Sequence, residues 1–329
     1  MAAAGNTFYF AWEAALEVWL QSHLPAALLS LISFFSAFGE AACAVLILGT
    51  FYWCLDKETG LYIGVNIVMG GVWHPLLKNI ALRRRPYFDH EGIDLLRPLD
   101  AHADLYDIQA QGYSFPSGHS TNGPAVYGSL ARRLKKKWMN ILAVLLTFLI
   151  GFSRVAVGAH YPTDVLAGWG LGLVIIFLVP YLREKTGDIR IFYGILILSG
   201  LPGFFFARTD DYYTGMGLLF GLALAEMFER RYVNFRMAKS FPEGLGRILG
   251  GLVLYAALNF LLETLLNPAL TPWPGQAEYL FRTARYCLII FALLGIYPLC
   301  FEKLTKRDKK TGRRNNGKIW GKVHIDRKK

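Results

Sequence analysis

Long apolar runs recur along this chain, and they constrain its fold more than any other feature of the sequence. A transmembrane helix needs roughly 20 predominantly apolar residues, and several of the runs reach that length. Hydrophobic residues make up 54% of the chain and charged residues only 18%, which is typical of membrane proteins rather than soluble domains. We therefore expect an all-α fold, a polytopic helical transmembrane bundle. The runs cover residues 40–55, 61–80, 118–131, 138–156, 164–182, 191–207, 213–228, 247–266 and 280–301.

Pairs of glycines four residues apart recur along these runs. Small residues at this spacing let the backbones of two helices approach closely. The alternative is that glycine is simply common in membrane helices. The pairs are Gly60/Gly64, Gly168/Gly172 and Gly217/Gly221.

The N-terminal part of the chain has a different pattern. Residues 7–21 carry Trp12 and Trp19 at helical spacing, which predicts an amphipathic helix suited to the membrane interface. Residues 24–38 are apolar but short, so they cross at a slant, continue the first helix, or dip in and return. No basic region precedes the first helix, so we expect no cleaved signal peptide. The polar residues that recur every fourth position in the first helix are Glu13, Glu17 and Gln21.

Lysine and arginine are distributed unevenly between the two sets of helix ends. Most of the 35 Lys and Arg residues lie in one set of connections and in the tail after residue 301. The positive-inside rule makes this side cytoplasmic, so the polar motifs at the opposite ends face the extracytoplasmic side. The net charge of +11 fits a tail near anionic lipid better than nucleic-acid binding.

We divide the chain into four parts. Residues 1–39 form the amphipathic and short membrane segment, and residues 40–185 form a core that holds the polar motifs. Residues 186–301 add further transmembrane helices, and residues 302–329 form a basic cytoplasmic tail. Within the core, residues 87–114 are hydrophilic and acidic, which indicates either a lid over the site or a solvated loop.

Basic residues stand at the ends of two apolar runs. Lys78 precedes Arg85 by seven residues, about two helical turns, so both can lie near one helix face. Pro86 then ends that helix, and Arg154 stands at the end of another run. Three cations at a low-dielectric boundary require an anion, and a phosphate monoester with about −1.5 to −2 charges suits them.

The sequence Phe-Pro-Ser-Gly-His at 115–119 stands where the 118–131 run begins. Serine is a preferred residue at a helix start, and the unpaired N–H groups of a first turn bind anions. We expect those groups and the Ser117 hydroxyl to form an anion site. Gly118 carries no side chain, so an anion oxygen can approach the backbone there.

Two imidazoles can supply a reaction at this anion. His160 precedes Asp164 by four residues, so the carboxylate can accept a hydrogen bond from one ring nitrogen and leave the other as a nucleophile. His119 can act as general acid and then as general base. The fixed cations stabilise the charge, so we expect no metal and no other cofactor. We interpret the remaining histidines as interfacial residues: His23, His74, His90, His102 and His324.

Together these stretches resemble the signature of the type-2 phosphatidic acid phosphatase superfamily, which reads Lys-x6-Arg-Pro, Pro-Ser-Gly-His and Ser-Arg-x5-His-x3-Asp. The resemblance covers roughly residues 40–185 and implies a helical membrane core with metal-independent hydrolysis of phosphate esters. It also implies a phosphohistidine on His160, acid and base work by His119, and a carboxylate of Asp164 that orients His160. The residues that match its phosphate-binding positions are Lys78, Arg85, Ser117, Gly118 and Arg154. The apolar spans of 191–301 lie beyond this core and have no role in the resemblance.

We therefore expect an integral membrane enzyme that removes phosphate from a lipid phosphate or diphosphate. Candidate substrates are phosphatidic acid, phosphatidylglycerol phosphate, a polyprenyl diphosphate and a sphingoid-base phosphate, because the motif residues bind the part common to all four. A lipid phosphotransferase with the same histidines is one alternative, and a lipid-phosphate transporter without turnover is another. We expect membrane lipids and the lipid substrate as partners and no nucleic acid, while the oligomeric state stays open. The basic loops and the N-terminus without a leader favour a bacterial plasma membrane.

Overall fold

The computed structural model describes residues 5–98, 102–265 and 274–301. Within these ranges the chain is helical and forms no β-strand, and an isolated bridge joins Asn6 to Arg83. The all-α prediction is confirmed for the part of the chain that the structure describes. The first helices are α1 (Ala11–His23), α2 (Ala26–Phe34), α3 (Ala41–Thr50), α4 (Lys57–Ala81), α5 (Pro86–Asp89), α6 (Ile108–Gln111), α7 (Gly118–Gly123) and α8 (Ser129–Leu134). The following ones are α9 (Lys137–Ala156), α10 (Pro162–Thr186), α11 (Ile189–Gly200), α12 (Asp210–Phe228), α13 (Phe241–Leu265) and α14 (Pro274–Ile290).

Short 3-10 and π-helical turns extend or join several of these helices. The apolar runs of the sequence coincide with helices and turns to within a few residues, because each run is bounded by polar or helix-terminating residues. The turns are Phe35–Gly39, Phe51–Leu55, Pro124–Gly128, Leu201–Phe205, Glu229–Val233 and Phe291–Ile296.

Five helices among the described residues are long and apolar enough to cross a membrane, or six if the bent N-terminal pair counts as one span. Two shorter apolar helices accompany them, Ala41–Leu55 and Ile189–Phe205. This pattern confirms a multi-pass membrane protein. The five helices are Lys57–Ala81, Lys137–Ala156, Pro162–Thr186, Phe241–Leu265 and Ala277–Phe301.

The N-terminal segment bends sharply between its two helices. The axis turns by 119° between Ala11–His23 and Ala26–Gly39, with Pro25 at the start of the second helix. The second helix therefore does not continue the first, and a bend of this size suits a broken span or a re-entrant loop. Trp12 and Trp19 are about half exposed on α1.

Local chemistry sets the helix boundaries near the polar motifs. Ser117 is the N-cap of α7, and its hydroxyl accepts a hydrogen bond from the Ser120 N–H at 3.4 Å. Pro162 is the first residue of α10, where its missing N–H costs nothing. Gly187, with a φ of +62°, ends the same helix in the left-handed region that favours glycine.

Helix packing divides the described chain into two compact units. The first contains the described residues of 1–44 and 65–216, and it holds all three polar motifs. In this unit α10 packs on α7 and α9, and α7 also packs on α9. The units do not follow chain order, and the four sequence segments stay a prediction.

The second unit contains residues 45–64 and the described part of the chain from 217 onward. Buried polar side chains hold it together. The Lys57 ammonium lies 3.0 Å from the buried Glu229 carboxylate, and the Arg247 guanidinium donates to the Trp53 carbonyl at 2.7 Å. Its helices α13 and α14 pack on each other.

The glycine pairs lie where helices touch, as the sequence predicts. A Cβ atom on Gly168 would lie 2.6 Å from the Ser117 carbonyl oxygen, and one on Gly172 would lie 2.6 Å from the Thr121 carbonyl oxygen. These two glycines let α10 pack against the backbone of α7, which carries the second motif. A Cβ would also lie under 3.0 Å from another atom at Gly60, Gly64, Gly217 and Gly221.

Replacing Gly172 by alanine tests this packing. The added methyl group meets the Thr121 carbonyl and the Pro124 ring, so we expect Gly172→Ala to cost about 1–3 kcal/mol of stability and to lower the Tm in detergent. Gly170→Ala on the same helix is the matched control, because a Cβ there meets nothing within 4 Å. Equal Tm values for the two variants would contradict the close approach of α7 and α10.

Candidate active site

Hydrogen bonds and ion pairs join the three polar motifs within the first unit. The Arg83 guanidinium donates to the Asp164 carboxylate at 2.6 Å, which links the first motif to the third. The Ser117 N–H donates to the Asp164 carbonyl at 3.0 Å, which links the second to the third. Arg85 Nη1 lies 3.5 Å from His160 Nε2. The structure therefore brings residues from stretches far apart in the chain to one place.

Backbone carbonyls hold Arg85 in a fixed orientation. This residue is the N-cap of α5, and its guanidinium donates to the carbonyls of Gly112 at 3.0 Å, Ala159 at 2.9 Å and Gln111 at 2.6 Å. The side chain is only 4% exposed. Carbonyl oxygens satisfy its N–H donors but carry no full negative charge, so the positive charge stays available beside the His160 ring.

The Arg154 guanidinium has fewer hydrogen-bond acceptors around its positive charge than that of Arg85. It lies in the last turn of α9, is 2% exposed, and donates from Nη1 to the Ser36 hydroxyl at 3.2 Å. Its buried Nε has no hydrogen-bond partner among the described residues. No described carboxylate lies within 4 Å of the guanidinium of Arg85 or Arg154. Buried guanidinium groups without an anion are costly, and a negatively charged ligand beside them would lower that cost.

The second motif forms the beginning of α7. Ser117 is fully buried, and the Ser120 hydroxyl donates to the Ser117 hydroxyl oxygen at 2.9 Å. Gly118 is the first residue of the helix, and a Cβ on it would lie 2.6 Å from His74 Nε2. His119 follows, and its ring lies against Gly39. The N–H groups of Ser117 and Ser120 donate to the Asp164 carbonyl and the Ser117 hydroxyl. The N–H groups that these bonds leave for an anion are those of Gly118 and His119.

His160 lies in the loop between α9 and α10 and is 2% exposed. Its Nδ1 is 3.5 Å from the Ser114 hydroxyl and 3.6 Å from the Asp164 carboxylate, while its Nε2 faces Arg85. Ser114 donates to Asp164, so this serine connects the ring to the carboxylate, which is too far away for a direct hydrogen bond. Burial and then the charge of Arg85 hold the pKa of His160 well below its usual range, which favours a neutral ring.

Arg83 is a residue of this region that sequence reasoning missed. The run Arg83-Arg84-Arg85 suggests a surface anchor, yet the Arg83 side chain is 1% exposed. It lies between two carboxylates, because its Nη2 donates to Glu13 at 2.9 Å and its Nη1 donates to Asp164 at 2.6 Å.

The N-terminal helix takes part in this arrangement through Glu13. The other carboxylate oxygen of Glu13 accepts from the N–H of Thr163 at 2.9 Å and from its hydroxyl at 2.6 Å. Glu13 and Glu17 are fully buried, so the polar side of α1 faces the protein while the tryptophans face outward. The regular spacing of Glu13 and Glu17 signalled a polar face in the sequence, but not what that face contacts.

Asp211 and His74 lie on one side of Lys78. Lys78 is in the last turn of α4 and is 4% exposed. Its ammonium is 3.8 Å from the Asp211 carboxylate at the start of α12. His74 Nε2 is 3.9 Å from the same carboxylate oxygen. The interfacial position predicted for His74 stays a prediction, but its ring contacts Asp211 and Gly118 beside the motif residues, which the sequence does not indicate.

The acidic segment 87–114 makes local contacts in the described residues. Asp89 pairs with Arg84 at 2.5 Å, and the carboxylates of Asp104 and Asp107 accept from nearby backbone N–H groups. Asp100 lies outside the described residues. The proposed lid over the site stays a prediction.

Comparison with known proteins shows the family of this chain. The sequence model of the PAP2 superfamily matches residues 59–188, which include all three motifs. The Bacillus subtilis protein undecaprenyl-diphosphatase BcrC is 31% identical over 160 residues, which make up 48% of this chain and 76% of that protein. The chain belongs to the PAP2 superfamily. A second model, the transmembrane extension of PAP2 superfamily phosphatases, matches residues 213–309.

Two other relatives are similar over shorter stretches. Phosphatidylglycerophosphatase B of Bacillus subtilis is 41% identical over 92 residues, 25% of this chain and 45% of that protein. Undecaprenyl-diphosphatase of Sulfolobus acidocaldarius is 33% identical over 135 residues, 41% of this chain and 59% of that protein. The chain thus spans about half the length of these curated relatives. No solved structure matches it.

Removing the Arg83 guanidinium tests the buried ion pairs. Arg83→Gln leaves Glu13 and Asp164 buried without their cation, so we expect it to lower the free energy of unfolding by about 3–5 kcal/mol. A lower Tm in detergent measures the loss. Arg84→Gln is the control, because the adjacent arginine pairs with Asp89 nearer the surface and is expected to cost less than about 1 kcal/mol. The same small Tm change in both variants would contradict the role of Arg83.

Proposed function

We propose that this protein hydrolyses a phosphomonoester or diphosphate of a membrane lipid through a phosphohistidine on His160. The observation that carries the proposal is a pair of buried guanidinium groups, Arg85 and Arg154, that have no described carboxylate within 4 Å, with Arg85 beside the buried ring of His160. A phosphate supplies the missing negative charge and takes the free N–H donors. The relatives named as lipid phosphatases and diphosphatases support the same substrate class.

In the first step, the Nε2 lone pair of His160 attacks the phosphorus atom. An N–P bond forms while the P–O bond to the lipid breaks, and His119 gives its proton to a leaving alkoxide. The leaving group of a diphosphate is a lipid monophosphate, which needs less protonation. Lys78, Arg85, Arg154 and the N–H groups of Gly118 and His119 stabilise the charge on the transferring group, while the Ser117 N–H is held by the Asp164 carbonyl.

In the second step, water attacks the phosphohistidine. His119 takes a proton from the water, the N–P bond breaks, and inorganic phosphate leaves. Asp164 acts on His160 through Ser114 and keeps the proton on Nδ1, so that Nε2 has a lone pair. Burial lowers the pKa of His160, so Nε2 stays unprotonated even at pH values below the usual pKa of a histidine.

Trapping the phosphoenzyme tests the proposed mechanism. A lipid phosphate labelled in the phosphoryl group is mixed with the protein and quenched in base, which preserves a phosphohistidine. We expect label on the wild-type protein and none on His160→Ala, together with a loss of phosphate release of about 10⁴-fold or more. His23→Ala is the control, because His23 is exposed and bonds only within α1. Label that passes to an acceptor lipid and never to water would favour a phosphotransferase instead.

We also infer that catalysis needs no metal ion, because fixed cations fill the role that a metal has in other phosphoryl-transfer sites. Phosphate release by the purified protein is therefore expected to continue in the presence of a strong chelator. Complete loss of activity that added Mg²⁺ restores would contradict this part of the mechanism.

We infer further that the site faces the extracytoplasmic side of the plasma membrane. The support is the charge distribution, which puts the basic connection around residues 132–137 on the cytoplasmic side. The motif residues lie at the opposite ends of the helices that border this connection.

Cysteine labelling in intact cells tests this orientation. In a variant without the four native cysteines, Glu91→Cys is expected to react with an impermeant thiol reagent and Lys136→Cys is not. Both positions are exposed in the structure, so accessibility to the reagent depends on the side of the membrane. The reverse pattern would overturn the orientation.

A further inference from the structure

His74 and Asp211 form a polar pair beside the phosphate-binding residues, and none of the motifs accounts for it. The Asp211 carboxylate lies 3.9 Å from His74 Nε2 and 3.8 Å from the Lys78 ammonium. Both separations exceed the length of a hydrogen bond. The His74 side chain is 14% exposed and that of Asp211 is 29% exposed, so a ligand can reach the pair.

The orientation of the His74 ring is determined by its other nitrogen. Nδ1 lies 2.7 Å from the Gly70 carbonyl, which only accepts hydrogen bonds, so Nδ1 carries a proton. Nε2 therefore presents a lone pair when the ring is neutral. This nitrogen borders Gly118, where a Cβ would lie 2.6 Å from it, and so it lies next to the proposed anion site.

The Asp211 carboxylate is held in a similar way. Its Oδ1 accepts from the Tyr212 N–H at 3.0 Å, which leaves Oδ2 directed at His74 and Lys78. The preceding loop is tied to α4, because Asn79 donates to the Thr209 hydroxyl at 2.7 Å. Asp211 is thus a built element of the site rather than a mobile surface carboxylate.

A carboxylate at this place is unfavourable for a bare phosphate, since the two negative charges repel. A bound phosphate accepts the hydrogen bonds that the Lys78 ammonium donates. His74 Nε2 and the Asp211 carboxylate then remain as two acceptors that lie 3.9 Å apart. An ammonium group between them can donate to both acceptors, and a hydroxyl can donate its one proton to the charged Asp211 carboxylate. A substrate that carries such a donor next to its phosphate turns the repulsion into a hydrogen bond.

We propose that His74 and Asp211 form a subsite for a hydrogen-bond donor, a hydroxyl or ammonium group, on the carbon next to the phosphoester carbon of the leaving group. The inference rests on the proposed function and narrows its substrate class. Phosphatidylglycerol phosphate has a hydroxyl at this position and a sphingoid-base phosphate has an ammonium group. Phosphatidic acid has an acyl ester there and a polyprenyl diphosphate an alkene carbon, so neither offers a donor.

The experiment compares two lipids that differ in this one group. Phosphatidylglycerol phosphate and its analogue with the terminal 2-hydroxyl replaced by hydrogen are assayed at identical acyl chains in mixed micelles. We expect wild-type kcat/KM to be about tenfold or more higher for the hydroxyl lipid, as for a hydrogen bond to a charged group. Asp211→Ala is expected to bring the ratio close to one, and Asp210→Ala, the same charge change on the same helix turn, to leave it unchanged.

The ratio separates this role from the support of Lys78. Any loss through Lys78 affects both lipids equally and cancels in the ratio. A wild-type ratio near one, or an Asp211→Ala variant that loses activity on both lipids without a change in ratio, would overturn the subsite. If the wild type releases phosphate from neither lipid, the proposed function fails. In that case the Kd values of the two lipids are measured on His160→Ala, which cannot form the phosphohistidine. A Kd ratio near one would overturn the subsite, and tighter binding of the hydroxyl lipid would support it.

Discussion

The buried contact between Arg83 and Asp164 joins the parts of the chain that build the site. The Arg83 guanidinium also pairs with Glu13, so this one cation connects α1, the loop after α4 and the start of α10. The rings of Phe8 and Tyr161 lie 4.9 and 4.0 Å from the guanidinium carbon. Buried charges are costly unless they are paired in good geometry, and each of the three guanidinium nitrogens of Arg83 donates to an acceptor. This requirement leaves little freedom in how the three segments pack.

Two kinds of arginine lie close together in this region, and their difference gives the site its chemistry. Arg83 is balanced by two carboxylates, whereas Arg85 and Arg154 bond to carbonyl or hydroxyl oxygens. The first arrangement stabilises the fold. The second arrangement leaves net positive charge at a buried position, which suits a phosphate dianion. Without a bound anion, only the surrounding structure holds these charges in place. The balanced arginine holds Asp164 where Ser114 can connect it to His160.

The chain after the PAP2 core contributes to the same region. Asp211 stands at the start of α12, two residues before the matched transmembrane extension begins, and its carboxylate lies beside Lys78. Helix α12 continues from this carboxylate to Phe228. The segment that follows the core therefore places a polar group beside Lys78, one of the residues proposed to bind phosphate, beyond the membrane-spanning role that its apolar helices indicate.

The sequence by itself determined the helices, the membrane class and the three motifs. Apolar runs, the helix-starting Pro162 and the serine N-cap at 117 act over one or two helical turns, so they are readable from neighbouring residues. The prediction that Pro86 ends the helix of the first motif is wrong, because α4 ends at Ala81 and Pro86 starts α5. The charge and spacing of Lys78, Arg85, His160 and Asp164 were likewise enough to indicate phosphate chemistry.

Only the tertiary structure decided which polar residues support these motifs. Glu13 meets Arg83 across 70 positions of the chain, and Ser114 meets Asp164 across 50. Asp211 reaches Lys78 from a helix that belongs to another part of the sequence. No local signal identifies these pairings, because a buried polar group can be paired by any complementary group that the fold brings near it. The identity of that partner depends on how the helices pack. The close approach of α10 to α7 at Gly168 and Gly172 is one contact that fixes this packing.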